Sequence, residues 1–299
     1  MTDIIIIGGG PAGLSAAIYA QRAGFSVQIL DKGASGAQIT QATEVENYLG
    51  FPSISGVELH SKFVEHVKAL NIPTVKKGVV AVDKQENGFL VKTKKDEFEC
   101  KYLVLAMGRS HRHLGVAGEE ELAGAGVSYC ATCDGYFFKD KTVAVVGGGD
   151  SALTQAIYLS GICKKVYLIH RRDSFRAAKY LINKASEIEN IQFVLNSTVD
   201  KILGESFVTG ISVVTENTVH EIDCDGVFGA IGEEPNISFT IDGLELGNQG
   251  HIVTDNFCRT NINGLYAVGD LRDREVYQII SAVADAPLLI EGILKDSKK

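Results

Sequence analysis

Two cysteines stand two residues apart near the middle of the chain. Cys130 and Cys133 lie in the stretch SYCATCDG, residues 128–135, and Asp134 follows directly. A pair at this spacing can bind a metal ion, close a structural disulfide, or carry electrons by thiol–disulfide exchange. The spacing alone does not distinguish these three kinds of chemistry, so other residues of the sequence are needed.

The other cysteines give little support to a metal site or a stapled domain. Four of them occur singly: Cys100, Cys163, Cys224 and Cys258. A structural zinc site needs four ligands, usually in two pairs, and the sequence has no second CxxC. His111 and His113 are nearby, but they lie two residues apart on a predicted loop. A disulfide-stapled secreted domain would be shorter and richer in cysteine.

Length and charge limit the classes of function. The chain has 299 residues, which suits two domains of ordinary size. Its net charge of −8 argues against nucleic acid or an anionic membrane as the main partner. The longest apolar runs are too short to cross a bilayer. Residues 1–7 lack the basic region and cleavage site of a signal peptide, so we expect a cytoplasmic protein.

The amino terminus has the pattern of a dinucleotide-binding βαβ unit. Four consecutive isoleucines, residues 4–7, predict a buried parallel strand, and an alanine-rich helix follows. Between them, Gly8, Gly10 and Gly13 have the GxGxxG spacing that admits a pyrophosphate to a helix amino terminus. A second predicted strand ends at Asp31, which could accept hydrogen bonds from a ribose. The unit is therefore predicted to bind FAD or NAD.

The same unit recurs 139 residues later. Gly147, Gly149 and Ala152 repeat the three glycine positions, and His170 stands where Asp31 stands in the first unit. Both copies lie between a predicted strand and a predicted helix. The chain is therefore predicted to hold two dinucleotide sites, with the motif residues at corresponding positions of the two units.

The two units differ in charge at the end of the second strand. In the later unit His170 is followed by Arg171 and Arg172, with Arg176 close behind. Guanidinium groups there suit a 2′-phosphate, whereas an acid repels one. The second site is therefore predicted to bind NADP(H).

The remaining pattern indicates a chain that leaves one domain and returns to it. Buried strands are predicted at residues 102–107, 226–231 and 264–268. Segments near residues 80–100 and 200–223 alternate apolar and polar residues, which predicts additional antiparallel strands. We predict a first domain of residues 1–112 and 242–299, with a second domain inserted at residues 113–241.

Two nucleotide sites and a cysteine pair together define an electron path. A nicotinamide gives up a hydride, a flavin can accept it, and a CxxC can exchange electrons with a partner disulfide. Asp134 could move the proton that this exchange requires, or could simply cap a turn before Gly135.

At this level of detail the chain resembles the low-molecular-weight thioredoxin reductases. The shared motifs extend over nearly its whole length: GGGPAGLSAAIYA, TEVENYLGF, CATCDG, GGGDSA, HRRDSFRA, AIGEEPN and AVGD. The resemblance implies an α/β fold of two Rossmann-like dinucleotide-binding domains of the three-layer ββα type, with the NADPH domain inserted in the FAD domain. It also implies tightly bound FAD, NADPH as donor, thioredoxin or a thioredoxin-like protein as partner, a homodimer, and rotation between the domains.

The resemblance assigns roles to individual residues. It makes Cys130 and Cys133 the redox disulfide, with Cys133 toward the flavin, and Asp134 the acid–base group. For FAD it implies Gly8, Gly10, Ala12, Gly13, Asp31, Gln38, Thr43, Asn47, Ala106, Gly108, Gly269, Asp270, Gln278 and Ile279. For NADPH it implies Gly147, Gly149, Asp150, Ser151, His170, Arg171, Arg172, Arg176 and Ile231.

Some positions depart from the family pattern. Tyr277 precedes Gln278 where the family has arginine, residues 282–287 read AVADAP where it is richer in glycine, and Thr154-Gln155 replaces a pair of acids. Relatives with ferredoxin as donor, or with a small-molecule dithiol as substrate and oxygen as acceptor, remain alternatives. Both would be expected to lose the arginine cluster. A redox sensor without turnover is a third alternative.

Overall fold

The chain forms two compact units. A computed structural model describes residues 1–33, 38–42, 44–247 and 250–298. Unit 1 combines Met1–Ser110 with the chain from Glu234 onward, and unit 2 is His111–Glu233. In the part of the chain that the model describes, no helix is both long and apolar enough to cross a membrane.

The elements follow the chain in three segments. The first holds β1 (Thr2–Ile7), α1 (Pro11–Arg22), β2 (Val27–Asp31), α2 (Gly56–Ala69), β3 (Thr74–Lys76), β4 (Val79–Gln85), β5 (Gly88–Thr93), β6 (Glu97–Leu105) and β7 (Arg109–His111). The second holds β8 (Val127–Ser128), α3 (Ala131–Asp134), β9 (Thr142–Gly147), α4 (Asp150–Ser160), β10 (Lys165–Ile169), α5 (Lys179–Ser186), β11 (Ile191–Val194), β12 (Ser197–Gly204), β13 (Val208–Thr215), β14 (Thr218–Asp223), β15 (Gly226–Ala230) and β16 (Glu233–Pro235). The third holds β17 (Leu265–Ala267) and α6 (Ile279–Asp296).

Unit 1 is built on a mixed sheet in the order β3-β2-β1-β6-β5-β4. The pairs β3–β2, β2–β1 and β1–β6 are parallel, and β4, β5 and the first half of β6 form an antiparallel excursion. Strand β17 pairs in parallel with the second half of β6. The carboxyl ends of β1, β2, β6 and β17 therefore point the same way, and loops after them can meet in one place.

The run of four isoleucines in β1 is buried on both faces. Ile4 and Ile6 pack in one core with side chains of α1 and α6, including Leu14 and Leu289. Ile5 and Ile7 pack in a second core with the β4–β5 hairpin. A strand between a helical layer and a second β layer has no polar face, which explains its unbroken apolar sequence.

Unit 2 repeats this arrangement. Its sheet, β11-β10-β9-β15-β8, is parallel throughout. Val143 and Val145 of β9 pack with α4 and α5, and Ala144 and Val146 pack with the antiparallel sheet of β12, β13 and β14. The predicted fold class, two Rossmann-like units of three layers with one inserted in the other, is confirmed.

The chain passes between the units twice. Each boundary falls inside a three-residue strand, β7 or β16, and these two strands pair with each other. The second boundary comes at residue 233, earlier than the residue 241 expected from the sequence. The intervening apolar side chains explain the difference, because Ile237, Phe239 and Ile241 pack in the core of unit 1.

Candidate functional site

The turn between β1 and α1 is shaped by close backbone contacts. Gly8 has φ +116°, and a β-carbon there would lie 2.3 Å from the carbonyl oxygen of Ala106. A β-carbon at Gly13 would lie 2.0 Å from the carbonyl oxygen of Gly8. Next to Gly10, by contrast, no described residue other than its chain neighbours lies within 4 Å of where a β-carbon would be. The turn is tight where it meets the sheet and open where a pyrophosphate would approach.

A cavity of about 350 Å³ opens over this turn in unit 1. Its volume lies in the usual range for small-molecule sites, roughly 300–1,000 Å³. The residues expected from the sequence to contact FAD that line this cavity are Gly8, Gly10, Ala12, Asp31, Gln38, Ala106, Gly108, Gly269, Asp270, Gln278 and Ile279. They come from loops at the carboxyl ends of β1, β2, β6 and β17 and from the start of α6.

Two described members of the expected FAD set do not line the cavity. Gly13 lies beneath the turn, where it permits the contact with Gly8. The Asn47 side chain donates from Nδ2 to Gln278 Oε1 at 2.9 Å and so holds a lining residue. Thr43 lies outside the described residues.

Asp31 is placed beside the turn at the end of β2. A β-carbon at Gly9 would lie 3.0 Å from the Asp31 carboxylate, and the Gly33 amide donates to Asp31 Oδ2 at 3.3 Å. The Asp31 carboxylate thus lines the cavity one strand away from the glycine turn, where an acidic residue would bind ribose hydroxyls in a dinucleotide fold.

The sequence singled out Tyr277 only as a departure from the family pattern, and Arg109 and His251, which pack against it, were missed. Arg109 and Tyr277 both line the cavity, and the Arg109 guanidinium lies 4.2 Å from the Tyr277 ring centroid. The buried His251 ring packs against Tyr277 at 5.4 Å. Burial, together with the charge of Arg109, lowers the pKa of His251. Position 109, four residues beyond the end of a parallel strand, was the available signal for a site residue.

The second glycine turn, between β9 and α4, has the same construction. A β-carbon at Gly147 would lie 2.2 Å from the Ala230 carbonyl oxygen, and the space next to Gly149 is open. A β-carbon at Gly148 would overlap the His170 ring, as one at Gly9 would press on Asp31. The two turns therefore match residue by residue, including the side chain beneath the second glycine.

His170 and the arginines after it occupy different environments. The His170 ring is buried, its Nε2 lies 3.1 Å from the Ser174 carbonyl oxygen, and it stacks on Phe175. Burial lowers the pKa of His170, and the neighbouring arginines lower it further, so the ring is neutral at pH 7. Arg171, Arg172 and Arg176 are exposed.

Backbone contacts bring the loop that carries these arginines to the glycine turn. The Arg176 amide donates to the Gly148 carbonyl oxygen at 2.8 Å, and the Ala178 amide donates to Asp150 Oδ1 at 2.7 Å. Ser151 is exposed in the first turn of α4, and Ile231 directly follows β15. The expected NADPH residues thus gather at the carboxyl edge of the unit 2 sheet.

Cys130 and Cys133 form a disulfide at the start of α3. Cys133 is exposed and Cys130 is half-buried. Ser128 joins Asp134 to this motif, because its hydroxyl donates to Asp134 Oδ2 at 2.6 Å and accepts from the Cys130 amide at 3.1 Å. Asp134 is therefore next to Cys133 in the sequence, and the Ser128 hydroxyl links its carboxylate to the Cys130 amide.

Gln155 of α4 binds the peptide groups on both sides of Cys130. Its Oε1 accepts from the Ala131 amide at 3.2 Å, and its Nε2 donates to the Tyr129 carbonyl oxygen at 3.5 Å. The same Nε2 lies 3.4 Å from the Ser151 hydroxyl. A carboxylate could accept from the Ala131 amide but could not donate to the Tyr129 carbonyl oxygen, so the departure from the family pattern at position 155 gives the disulfide segment a neutral, two-sided anchor.

Tyr129 anchors the segment from the other direction. Its hydroxyl donates to Glu119 Oε1 at 2.7 Å, and the Leu114 and Gly115 amides donate to the same buried carboxylate. Burial alone would raise the pKa of Glu119, but these bonds outweigh it and lower that pKa. The carboxylate is charged at neutral pH and fixes the residue before Cys130.

The four single cysteines are buried. Burial raises the pKa of the Cys100, Cys224 and Cys258 thiols to about 12 and that of Cys163 to about 11. Since the thiolate is the reactive form, these four are inert at neutral pH. Thiol–disulfide chemistry is left to Cys130 and Cys133.

Comparisons with known proteins agree with this geometry. The family model of the pyridine nucleotide-disulphide oxidoreductases matches residues 2–286. The chain is 40% identical to a thioredoxin reductase of Listeria monocytogenes over 292 residues, covering 96% of this chain and 91% of that protein.

Solved structures give the same result. A Lactococcus lactis thioredoxin reductase in its FR conformation superposes with a TM-score of 0.88 at 36% identity, over 99% of each chain. The T. acidophilum thioredoxin reductase superposes with a TM-score of 0.85 at 38% identity, over 100% of this chain and 99% of that one.

The Gln155 anchor predicts a local change in Gln155→Leu. Leucine keeps the apolar part of the side chain but leaves the Ala131 amide without its acceptor, so hydrogen exchange at that amide should speed up by about tenfold or more. Exchange measured at single-residue resolution on the oxidised chain checks this. Thr154→Val, at the exposed neighbouring position, is the control and should leave Ala131 unchanged. Equal exchange at Ala131 in both variants and the wild type would rule out the anchor.

Proposed function

The chain belongs to the pyridine nucleotide-disulphide oxidoreductase family and is a thioredoxin reductase, and we propose that its donor is NADPH and that bound FAD links NADPH to the Cys130–Cys133 disulfide. The observation that carries the proposal is the accessible disulfide beside Asp134, in the unit whose glycine turn is hydrogen-bonded to the loop that carries three exposed arginines. Reduced Cys130 and Cys133 then reduce thioredoxin or a thioredoxin-like protein.

The residues of unit 1 suit FAD. The open space next to Gly10 accommodates a pyrophosphate, and Asp31 stands where a ribose would need an acceptor. Asp270 and Gln278 supply further polar groups in the same cavity. When bound there, FAD would supply the capacity to take up a hydride and pass an electron pair to a disulfide.

The residues of unit 2 suit NADPH better than NADH. Arg171, Arg172 and Arg176 offer charge-assisted hydrogen bonds to a 2′-phosphate, and the neutral His170 leaves them as the positive groups at that edge. The same cluster argues against ferredoxin as donor, because a ferredoxin-dependent enzyme has no 2′-phosphate to bind. It argues against a small-molecule dithiol oxidase for the same reason.

The final transfer needs only groups of this chain and the partner. A thiolate of the reduced pair attacks the partner disulfide to form a mixed disulfide, and the second cysteine of the pair displaces the partner's remaining thiolate. Cys130–Cys133 is oxidised, and the partner gains two electrons and two protons as two thiols. Asp134, tied to the cysteine segment through Ser128, is placed to hold or deliver a proton during these steps.

The proposal includes three features implied by the resemblance to low-molecular-weight thioredoxin reductases. Two chains pair as a homodimer, FAD is tightly bound, and unit 2 turns relative to unit 1 during the cycle. The two short crossings at β7 and β16 are compatible with such a turn, since only two strands need to bend.

Replacing Cys133 with Ser should separate the two halves of the electron path. The variant keeps the FAD cavity and the nucleotide turn of unit 2, so NADPH should still bleach the flavin band, whereas thioredoxin reduction should be abolished. Both are measured spectrophotometrically on one preparation. Cys163→Ala, which removes an inert buried thiol, is the control and should retain both activities. Thioredoxin reduction at the wild-type rate by Cys133→Ser would refute the role of the pair.

Replacing both Arg171 and Arg172 with Ala should change nucleotide preference. Losing charge-assisted bonds to a 2′-phosphate should raise KM for NADPH about tenfold or more while leaving KM for NADH nearly constant. Steady-state kinetics with each nucleotide give the ratio. Lys164→Ala removes an exposed positive charge at the opposite end of β10 and should leave the ratio unchanged. A similar rise for both nucleotides in the double variant would contradict the 2′-phosphate assignment.

A further inference from the structure

A buried carboxylate on α6 holds the loop that follows β17. Asp285 is 4% exposed, and its Oδ2 accepts from the Gly269 amide at 2.7 Å. Its Oδ1 accepts from Arg272 Nη1 at 2.6 Å, and Arg274 also pairs with the carboxylate. One side chain therefore collects three donors from residues 269–274, the loop between β17 and α6.

The loop residue at the centre of this network has little conformational freedom. Gly269 has φ +73°, in the left-handed region that favours glycine, and a β-carbon there would lie 2.7 Å from Ala12 Cβ. Both Gly269 and Ala12 line the FAD cavity. The Gly269 amide is thus fixed by Asp285 in a conformation that brings the loop against the first turn of α1.

Arg272 and Arg274 are largely buried with Asp285 and are its ion-pair partners. Both are buried to a similar extent, with 13% of each side chain exposed. Arg272 also donates from Nε to Thr254 Oγ1 at 2.8 Å and from Nη2 to the Asp255 carbonyl oxygen at 3.1 Å. A buried carboxylate without such partners would be strongly destabilising, so the arginines offset the cost of burying Asp285 and hold it in position for Gly269.

The same helix also forms part of the cavity wall. Ile279 and Ala282, in the first turn of α6, line the cavity, and Asp285 lies on the next turn, three residues beyond Ala282. The network therefore ties two walls of the cavity to each other: the start of α6, and the Gly269–Asp270 segment.

We propose that Asp285 is a positioning residue for FAD, which it serves by fixing the Gly269–Asp270 segment in its binding conformation before FAD arrives. It does not line the cavity itself and acts through the Gly269 amide. This inference rests on the FAD site proposed above. Without the carboxylate the loop would have to be ordered when FAD binds, and that entropy loss would weaken binding.

The test is the FAD affinity of Asp285→Asn in the full-length chain. An amide cannot accept from both arginines and the Gly269 amide at once, since one of its two polar atoms is a donor. The FAD-loaded protein is diluted in series and free FAD is measured after rapid ultrafiltration. The dissociation constant for FAD should rise about tenfold or more, on the scale of one lost buried hydrogen bond to a charged group.

Asp296→Asn is the matched control. Asp296 is also an acid of α6 paired with an arginine, since it accepts from Arg259 Nε at 2.7 Å, but it lies 11 residues further along the helix, about 16 Å away. Both variants lose an ion pair and should unfold at a lower temperature. Only Asp285→Asn should lose affinity for FAD, which a purely structural role for Asp285 would not produce.

The possible results distinguish a failure of the Asp285 inference from a failure of the proposed function. Wild-type affinity in Asp285→Asn, or an equal loss in both variants, overturns it while leaving the proposed function intact. A wild-type chain that binds no FAD overturns both. If Asp285→Asn gives no folded protein, Arg274→Gln is measured in its place. It keeps the Gly269 acceptor and should raise the dissociation constant about threefold, whereas an unchanged constant overturns the inference.

Discussion

Both halves of the molecule depend on one steric constraint, the close approach of a helix to the turn that precedes it. In unit 1 no side chain fits at Gly13, because its β-carbon would overlap the Gly8 carbonyl oxygen. In unit 2 Ala152 takes the same place, and a β-carbon at Gly147 would lie 2.8 Å from its methyl group. This packing aims a helix amino terminus at the open space over Gly10 and Gly149, where the helix dipole and backbone amides would stabilise a pyrophosphate.

On this shared frame the two units differ by a few polar groups. An acid lies beneath the first turn, and a buried neutral histidine followed by exposed arginines lies at the second. The disulfide belongs to the second unit, where Gln155 links its backbone to Ser151 in the first turn of α4. The proposed nucleotide site and the redox pair are thus connected through α4. The first unit instead has a buried charge network behind its cavity, centred on Asp285.

Features set by local sequence could be predicted, and features set by contacts between distant residues could not. The isoleucine strand, the glycine turns and the repeat of 139 residues identified the fold, because periodicity and spacing report directly on burial and turn geometry. In the sequence, Asp285 is only an unusual residue in a run of small residues. Its hydrogen bond with the Gly269 amide depends on where α6 packs in the folded chain. Gln155 was noted only as the replacement of a family acid, and Arg109 belongs to none of the motifs identified in the sequence. Near the second domain boundary, Ile237, Phe239 and Ile241 alternate with polar residues, which indicates one buried face but does not say which of the two cores that face joins.

The central claim is that electrons enter from NADPH and leave through the cysteine pair. The most direct measurement mixes the FAD-loaded chain rapidly, without oxygen, with NADPH, NADH or reduced ferredoxin, and follows the flavin absorption band. The account predicts that NADPH bleaches the band within seconds, that NADH at the same concentration is slower, and that ferredoxin has no effect. An oxidised spectrum that persists with NADPH but is bleached by reduced ferredoxin would contradict the account.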